Sequence, residues 1–198
     1  MSGARTWLRR ALPIALSAVA AWQLGAGGYI HAKAWLAQRL IAHSWAERLA
    51  DGAVRPPWPW ADTAPVALLE VPRLGTRAWV LDDASGRSLA FGPGHVGGSA
   101  PPGAPGASLI AGHRDTHFRF LRALRAGDAL RLQSADGVWH QYIVRATAVV
   151  DTGRGEAIVP PEGEALYLLT CYPFDAVRPG GTLRYVVQAT PAAAGLWQ

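Results

Sequence analysis

Between Pro65 and Ala189 the chain is broken into short apolar runs by glycine, proline and aspartate, with almost no helical periodicity between them. The runs are Val66–Val71, Ala78–Leu81, Ser108–Ala111, Ala129–Gln133, Val138–Val150, Ala165–Tyr172 and Thr182–Ala189. Segments of this length bounded by turn residues read as strands. Asp136-Gly137 separates two of them and predicts a hairpin. A single short helix is expected, Thr116 to Leu124, with Asp115 as its N-cap. Parallel strands joined as in α/β proteins need a crossover helix between them. Those helices are missing, so the pattern predicts an all-β domain, a mostly antiparallel closed or half-closed barrel. Val138, Tyr142, Val144 and Ala146 face one way on the longest run, and Trp139, Ile143 and Val149 the other. Both faces are partly apolar, as in a barrel wall that carries loops. Two loops stand out: Gly92 to Gly106, rich in glycine and proline, and Asp151 to Gly163. Long loops at one end of a barrel are where a peptide groove would lie.

The N-terminal part differs in kind. Charged residues are 17% of the chain, below the roughly 25% of soluble domains, and the deficit is local. Ala11 to Ile30 carries no charge, and six of the nine tryptophans fall in the first 60 residues. Twenty uncharged residues, if helical, span about 30 Å, the thickness of a bilayer's hydrocarbon. Arg5, Arg9 and Arg10 flank one end and Lys33 and Arg39 the other more thinly, which predicts a single-pass anchor with a cytoplasmic N-terminus. Ala18-Val19-Ala20 has the form of a signal-peptide cleavage site, but the apolar run continues past it. His31 to Ala50 reads as a separate amphipathic helix through Leu36, Leu40, Ile41, Trp45 and Leu49, ended by Asp51-Gly52. Arg55 to Trp60 is a stiff proline-tryptophan linker. The expected organisation is a basic head (1–10), an anchor (11–30), a helix and linker (31–61), a β-barrel (62–190) and a tail (191–198).

The net charge is +5, carried almost entirely by arginine. Arg114, Arg119, Arg122 and Arg125 form a group on the expected short helix, read first as a solvated face and second as a surface for an acidic partner. No basic surface interleaved with aromatics points to nucleic acid. One cysteine excludes a disulfide scaffold and a multi-cysteine zinc site.

That cysteine, Cys171, ends the apolar run Ala165–Leu169, and Pro173 stops the strand because it cannot donate to a ladder. Taken alone, a lone cysteine packs as a small hydrophobe. Two partners change the reading. His113 follows the run Ser108–Ala111 and can act as acid and base. Arg184 lies in the next strand, across the loop 173–181, and can hydrogen-bond a developing oxyanion. Thiol, imidazole and permanent cation suit acyl transfer through a thiolate. His117 is the second choice of imidazole and Arg178 the second choice of cation. Arg184 is preferred because strand positions are better fixed than loop positions. His95 and His140 read as structural.

The residues around these three resemble sortases. Leu169-Thr170-Cys171 resembles the Leu-x-Thr-Cys signature of that family, and Ile110-Ala111-Gly112-His113-Arg114-Asp115-Thr116 its histidine motif. Leu183-Arg184-Tyr185-Val186-Val187 resembles the strand that holds the sortase arginine. Thr170 to Val187, with Cys-Tyr-Pro-Phe-Asp and Pro-Gly-Gly, looks most like the Gram-negative group. The resemblance covers about Trp58 to Ala189. It implies a closed eight-stranded sortase-type β-barrel and a cysteine transpeptidase without a required metal or other cofactor. Cys171 would attack the Thr–Gly bond of an LPXTG-like signal near a protein substrate's C-terminus, with His113 as acid/base and Arg184 on the oxyanion. Thr170 and Ala111 would line the groove. A Gram-negative version implies an inner-membrane enzyme facing the periplasm, with its acceptor amine undetermined and hydrolysis an open outcome. The rival readings are a papain-like protease, an L,D-transpeptidase and a silent, membrane-tethered peptide-binding β-domain. The first wants its cysteine at a helix start, and the second's Ser-x-Gly-Cys pattern is absent.

Overall fold

The computed structural model describes residues 2–154, 163–176, 178 and 180–192, with side chains from residue 13 onward. Among the described residues there are eight strands: β1 (Pro65–Val71), β2 (Thr76–Leu81), β3 (Gly94–His95), β4 (Ala107–Ala111), β5 (Ala129–Gln133), β6 (Trp139–Asp151), β7 (Ala165–Cys171) and β8 (Leu183–Pro191). They close into a barrel in the order β1-β2-β3-β4-β7-β8-β6-β5. Part of the expected loop 151–163 and most of the expected tail lie outside the described residues.

Seven strands coincide with the apolar runs to within a few residues. β3 lies inside the expected loop 92–106, where two residues are too few to show periodicity. It joins the barrel wall by pairing Gly94 with Leu81 of β2 and with Ala111 of β4. The hairpin at Asp136-Gly137 joins β5 to β6, with Gly137 at φ 84°, a conformation glycine adopts without strain.

The mostly antiparallel pattern holds with two exceptions: β2–β3 and β4–β7 are parallel. A parallel pair needs a long crossover, and here the β5–β6 hairpin supplies it in place of a helix. This pair decides where the site lies.

The barrel interior is filled by Leu69, Val80, Ile110, Leu132, Leu168 and Val187 among others, each about 1% exposed or less. A leucine buried to this degree contributes roughly 1.5–3 kcal/mol. A second apolar cluster, Leu109, Ala165, Tyr167, Leu169 and Val186, lies on the outer side of the β4–β7–β8 wall. β7 is therefore buried on both faces, which is why Ala165–Leu169 is apolar without alternation.

The helix expected at 116–124 is corrected. Only Arg119–Ala123 is helical, as a 3₁₀ turn, and Phe118 rather than Asp115 precedes it, without a side-chain cap. The buried residues are Phe118, Leu121 and Leu124. Their spacing of three matches a 3₁₀ turn and not an α-helix.

The N-terminal expectations also change. Ser2–Asp51 is one continuous helix, α1, so no break separates an anchor from an amphipathic segment. Among the described residues no helix is long and apolar enough to cross a membrane, and the span expected at 11–30 is not supported. That stretch is uncharged, but alanine, glycine, Ser17 and Gln23 make it only weakly apolar.

The chain divides into two compact units, Met1–Arg39 and Leu40–Gln198. In the first, Ile14, Trp22, Leu24 and Ile30 are exposed. In the second, Ile41 and Trp45 are buried. There the Trp45 indole donates to Gln133 Oε1 at 3.4 Å, and Arg48 donates to the Pro65 carbonyl at 2.9 Å. Leu36 and Leu49, assigned to the same stripe from spacing, are exposed. The helix ends at Gly52, φ 75°, whose N–H reaches the Arg48 carbonyl at 2.8 Å.

Candidate active site

The ladder between β7 and β8 ends with Tyr172 N–H donating to the Leu183 carbonyl at 3.0 Å, and Pro173 can carry it no further. One residue earlier, Cys171 stands opposite Arg184. Residues directly opposite across antiparallel strands project from the same face, with Cβ atoms about 5 Å apart. Alternation along β7 identifies that face. Leu166 and Leu168 belong to the interior cluster, and Ala165, Tyr167 and Leu169 to the outer one. Cys171 and Arg184 thus sit on the outer wall, at its end. Cys171 is a half-buried free thiol. Nη1 of Arg184 donates to the Gly181 carbonyl at 2.6 Å and the Leu183 carbonyl at 2.9 Å. These bonds fix the side chain at the start of its own strand and leave the remaining guanidinium N–H groups for another acceptor.

His113 reaches the same edge through the parallel β4–β7 pair. Ala111 is in register with Leu169. One step on, Gly112 N–H donates to the Leu169 carbonyl at 3.0 Å, and the Thr170 hydroxyl donates to the Gly112 carbonyl at 2.7 Å. Parallel strands end on the same side, so His113 leaves β4 where Cys171 closes β7. Its carbonyl then accepts Phe118 N–H at 3.0 Å, turning the chain. The imidazole is on an exposed residue. Gly112 permits this turn: a Cβ there would lie 2.8 Å from the ring of Phe118, which is fully buried and has no room to yield.

The two residues expected to line a groove are placed differently. Ala111 packs partly buried against the outer cluster, on the Cys171 side of the wall. Thr170 is 3% exposed and spends its hydroxyl on Gly112, so it braces the His113 turn instead of lining an open surface. Of the alternatives, His117 is half-buried, and burial holds its imidazole below the ordinary histidine range, against a hydrogen bond to the Ala90 backbone and with the His113 charge adding to the lowering. His95 contacts Ser99 Oγ and the Ala100 carbonyl, and His140 contacts Ser134 Oγ at 2.8 Å. Each serves a local network. Arg178 is exposed in the loop, and its backbone carbonyl is an acceptor for Arg114.

The sortase-domain family model matches residues 69–192, more than half of the chain. The chain belongs to the sortase family. Sortase D of Bacillus subtilis (strain 168) is 35% identical over 121 residues, which cover 61% of this chain and 60% of that protein, so the match spans less than two thirds of the curated relative. Among solved structures, a sortase D5 transpeptidase from Clostridium perfringens superposes with a TM-score of 0.60 at 18% identity, covering 79% of this chain and 98% of that one. Sortase C-1 from Actinomyces oris gives 0.58 at 22% identity, covering 76% and 98%. At these identities the two structures speak for the fold alone.

In this sortase domain one residue escaped the sequence reading. Arg114, expected to share a solvated face with Arg119, Arg122 and Arg125, is only 8% exposed. Its Nη2 donates to the Ala176 carbonyl at 2.8 Å and the Arg178 carbonyl at 3.4 Å. It therefore ties the turn after His113 to the loop between Cys171 and Arg184. The available signal was its place directly after the candidate histidine. Composition hid it, because arginine is ordinarily exposed.

Proposed function

We propose that this sortase is a cysteine transpeptidase that uses Cys171, His113 and Arg184. The observation that carries the reading is the register pairing of Cys171 with Arg184 on the outer wall, at the edge where β4 delivers His113. His113 takes the thiol proton and the thiolate attacks a peptide carbonyl. The Arg184 guanidinium donates to the oxygen as it becomes negative. Protonated His113 gives its proton to the departing amine, leaving a thioacyl-enzyme. An incoming amine, or water, repeats the sequence in reverse and frees the sulfur. The substrate in this reading is an LPXTG-like signal near a protein's C-terminus, cut between threonine and glycine. Ala111, Leu169 and Val186 form apolar wall beside it. The Cys-Tyr-Pro-Phe-Asp and Pro-Gly-Gly segments support a Gram-negative enzyme.

The test is incubation of the protein with a fluorogenic LPXTG-type peptide library, followed by mass spectrometry. Added acyl mass on Cys171, absent from Cys171→Ala, supports the enzyme. Peptide binding without an adduct would make the protein a silent binding domain.

We also propose attachment to the inner membrane through residues 11–30, with the barrel on the periplasmic side. The exposed Ile14, Trp22, Leu24 and Ile30 and the basic N-terminus support it. Flotation with vesicles containing anionic lipid tests it: the intact protein should float, and a form lacking residues 1–39 should stay at the bottom. Equal flotation of the two would exclude it.

A further inference from the structure

A cavity of about 270 Å³ is lined by Arg114, Asp115, Arg119, Arg122 and Phe174. Arg114 directly follows His113 and Phe174 comes three residues after Cys171, so two of the segments that bound the cavity are those that leave β4 and β7 at the reacting edge. We propose that it is a carboxylate-binding subsite of the transpeptidase. The acidic group would be carried by the amine acceptor or by the sorting peptide beyond the scissile bond. The proposal rests on the catalytic reading above and adds the chemistry of the group recognised next to it.

Unused charge is the first reason. The residues bounding the cavity bring three guanidiniums and one carboxylate. Several arginines of the barrel unit are held in ion pairs: Arg73 with Asp128, Arg77 and Arg131 with Glu70, Arg87 with Asp62, Arg55 with Asp51. The side chains of Arg119 and Arg122 have neither an ion pair nor a hydrogen bond among the described residues, and both residues are exposed. Geometry is the second reason. Residues three apart in a 3₁₀ turn stand one above the other, so Arg119–Ala123 presents Arg119 and Arg122 together. Arg114 is fixed behind them by the Ala176 carbonyl, with its Nε 3.5 Å from the Asp115 carboxylate.

Size and composition narrow the ligand. The volume holds a carboxylate and a few attached carbons, not a folded partner. Phe174, locked against Tyr185 at 5.1 Å between ring centroids, offers an apolar wall for methylenes. Guanidinium pairs match a carboxylate through two parallel hydrogen bonds. Asp115 repels a doubly charged phosphate more than a singly charged carboxylate.

The experiment uses the full chain and two probes, glutarate and its uncharged diamide, with binding followed by calorimetry. Glutarate should bind and the diamide should not, and Arg119→Gln combined with Arg122→Gln should weaken glutarate by about tenfold, as expected for lost charge-assisted hydrogen bonds. Equal binding of the two probes, or no change in the double variant, overturns the site. Two kinetic arms then identify the source. If the acceptor carries the acid, the double variant raises KM for glycyl-glutamate by about tenfold and leaves glycyl-glutamine unchanged. If the sorting peptide carries it, acylation of Cys171 by a peptide with an acidic residue after the cut slows relative to a neutral one. No change in either arm overturns its role as a substrate subsite. Failure of unaltered protein to acylate Cys171, with glutarate binding intact, would instead sink the transpeptidase reading and leave the anion site standing.

Discussion

Cys171 and Arg184 are ladder partners, so their proximity is set by backbone hydrogen bonds and not by a flexible loop. Arg178 sits in that loop and enters the network through its backbone carbonyl, which any side chain would supply. Arg184→Ala should therefore lower kcat/KM for peptide cleavage by about a hundredfold, the scale of losing one oxyanion donor, while Arg178→Ala should change it by less than about threefold. Equal losses in steady-state assays would move the cationic role elsewhere. Thr170 acts one step back. Thr170→Val keeps the shape but removes the donor to the buried Gly112 carbonyl, at a cost of about 1–3 kcal/mol in urea unfolding. If the bond also orients the His113 turn, kcat falls while KM is retained. A change in KM alone would assign Thr170 to substrate binding.

At the level of elements, the site depends on how closely the β4 end approaches the Phe118 turn. Gly112→Ala places a methyl group 2.8 Å from the Phe118 ring. Overpacking of this kind costs about 1–3 kcal/mol, so thermal unfolding should shift down and activity should fall with it. A second tie joins the turn after β1 to the approach to β5. Nε and Nη2 of Arg73 donate to both carboxylate oxygens of Asp128 at 2.6 and 2.7 Å, and Arg125 N–H adds a third bond at 2.7 Å. The Arg73 hydrogen bond, reinforced by that backbone bond, outweighs burial and holds the Asp128 carboxyl below the usual carboxylate range. A depressed folded-state value stabilises the protein above the unfolded carboxylate pKa of about 4 and is lost as pH falls through the folded value. Asp128→Asn should therefore lower Tm at pH 7 and flatten its fall on acidification. Parallel Tm–pH curves for the two proteins would refute this coupling.

For the whole molecule, the barrel unit includes the last turns of α1. Ile41 and Trp45 are buried, and the Trp45 indole bonds Gln133 of β5. The domain therefore begins near Leu40 and not after the proline-tryptophan linker, where composition places its boundary. Trp45→Ala should cost about 3–5 kcal/mol of barrel stability, read by urea unfolding. A loss under about 1 kcal/mol would make this helical segment an accessory.

Strand positions, the closed all-β barrel and the residues worth testing were legible in the sequence because each has a local cause. Apolar runs bounded by glycine and proline make strands wherever they lie, and Cys171, His113 and Arg184 each sit at or beside the end of such a run. The resemblance of three motifs to sortases joins them without reference to geometry. What is not local needed the tertiary structure. The parallel β4–β7 pair has no crossover helix to announce it. β3 is two residues made by its neighbours. The 3₁₀ turn at 119–123 is selected by burial of Phe118, Leu121 and Leu124 against the barrel. The inward turn of Thr170 and the burial of Arg114 follow from what packs around them. A sequence specifies which backbone each residue favours. Which side chain meets which, across tens of residues, is decided only when the barrel closes and every strand must satisfy two neighbours at once.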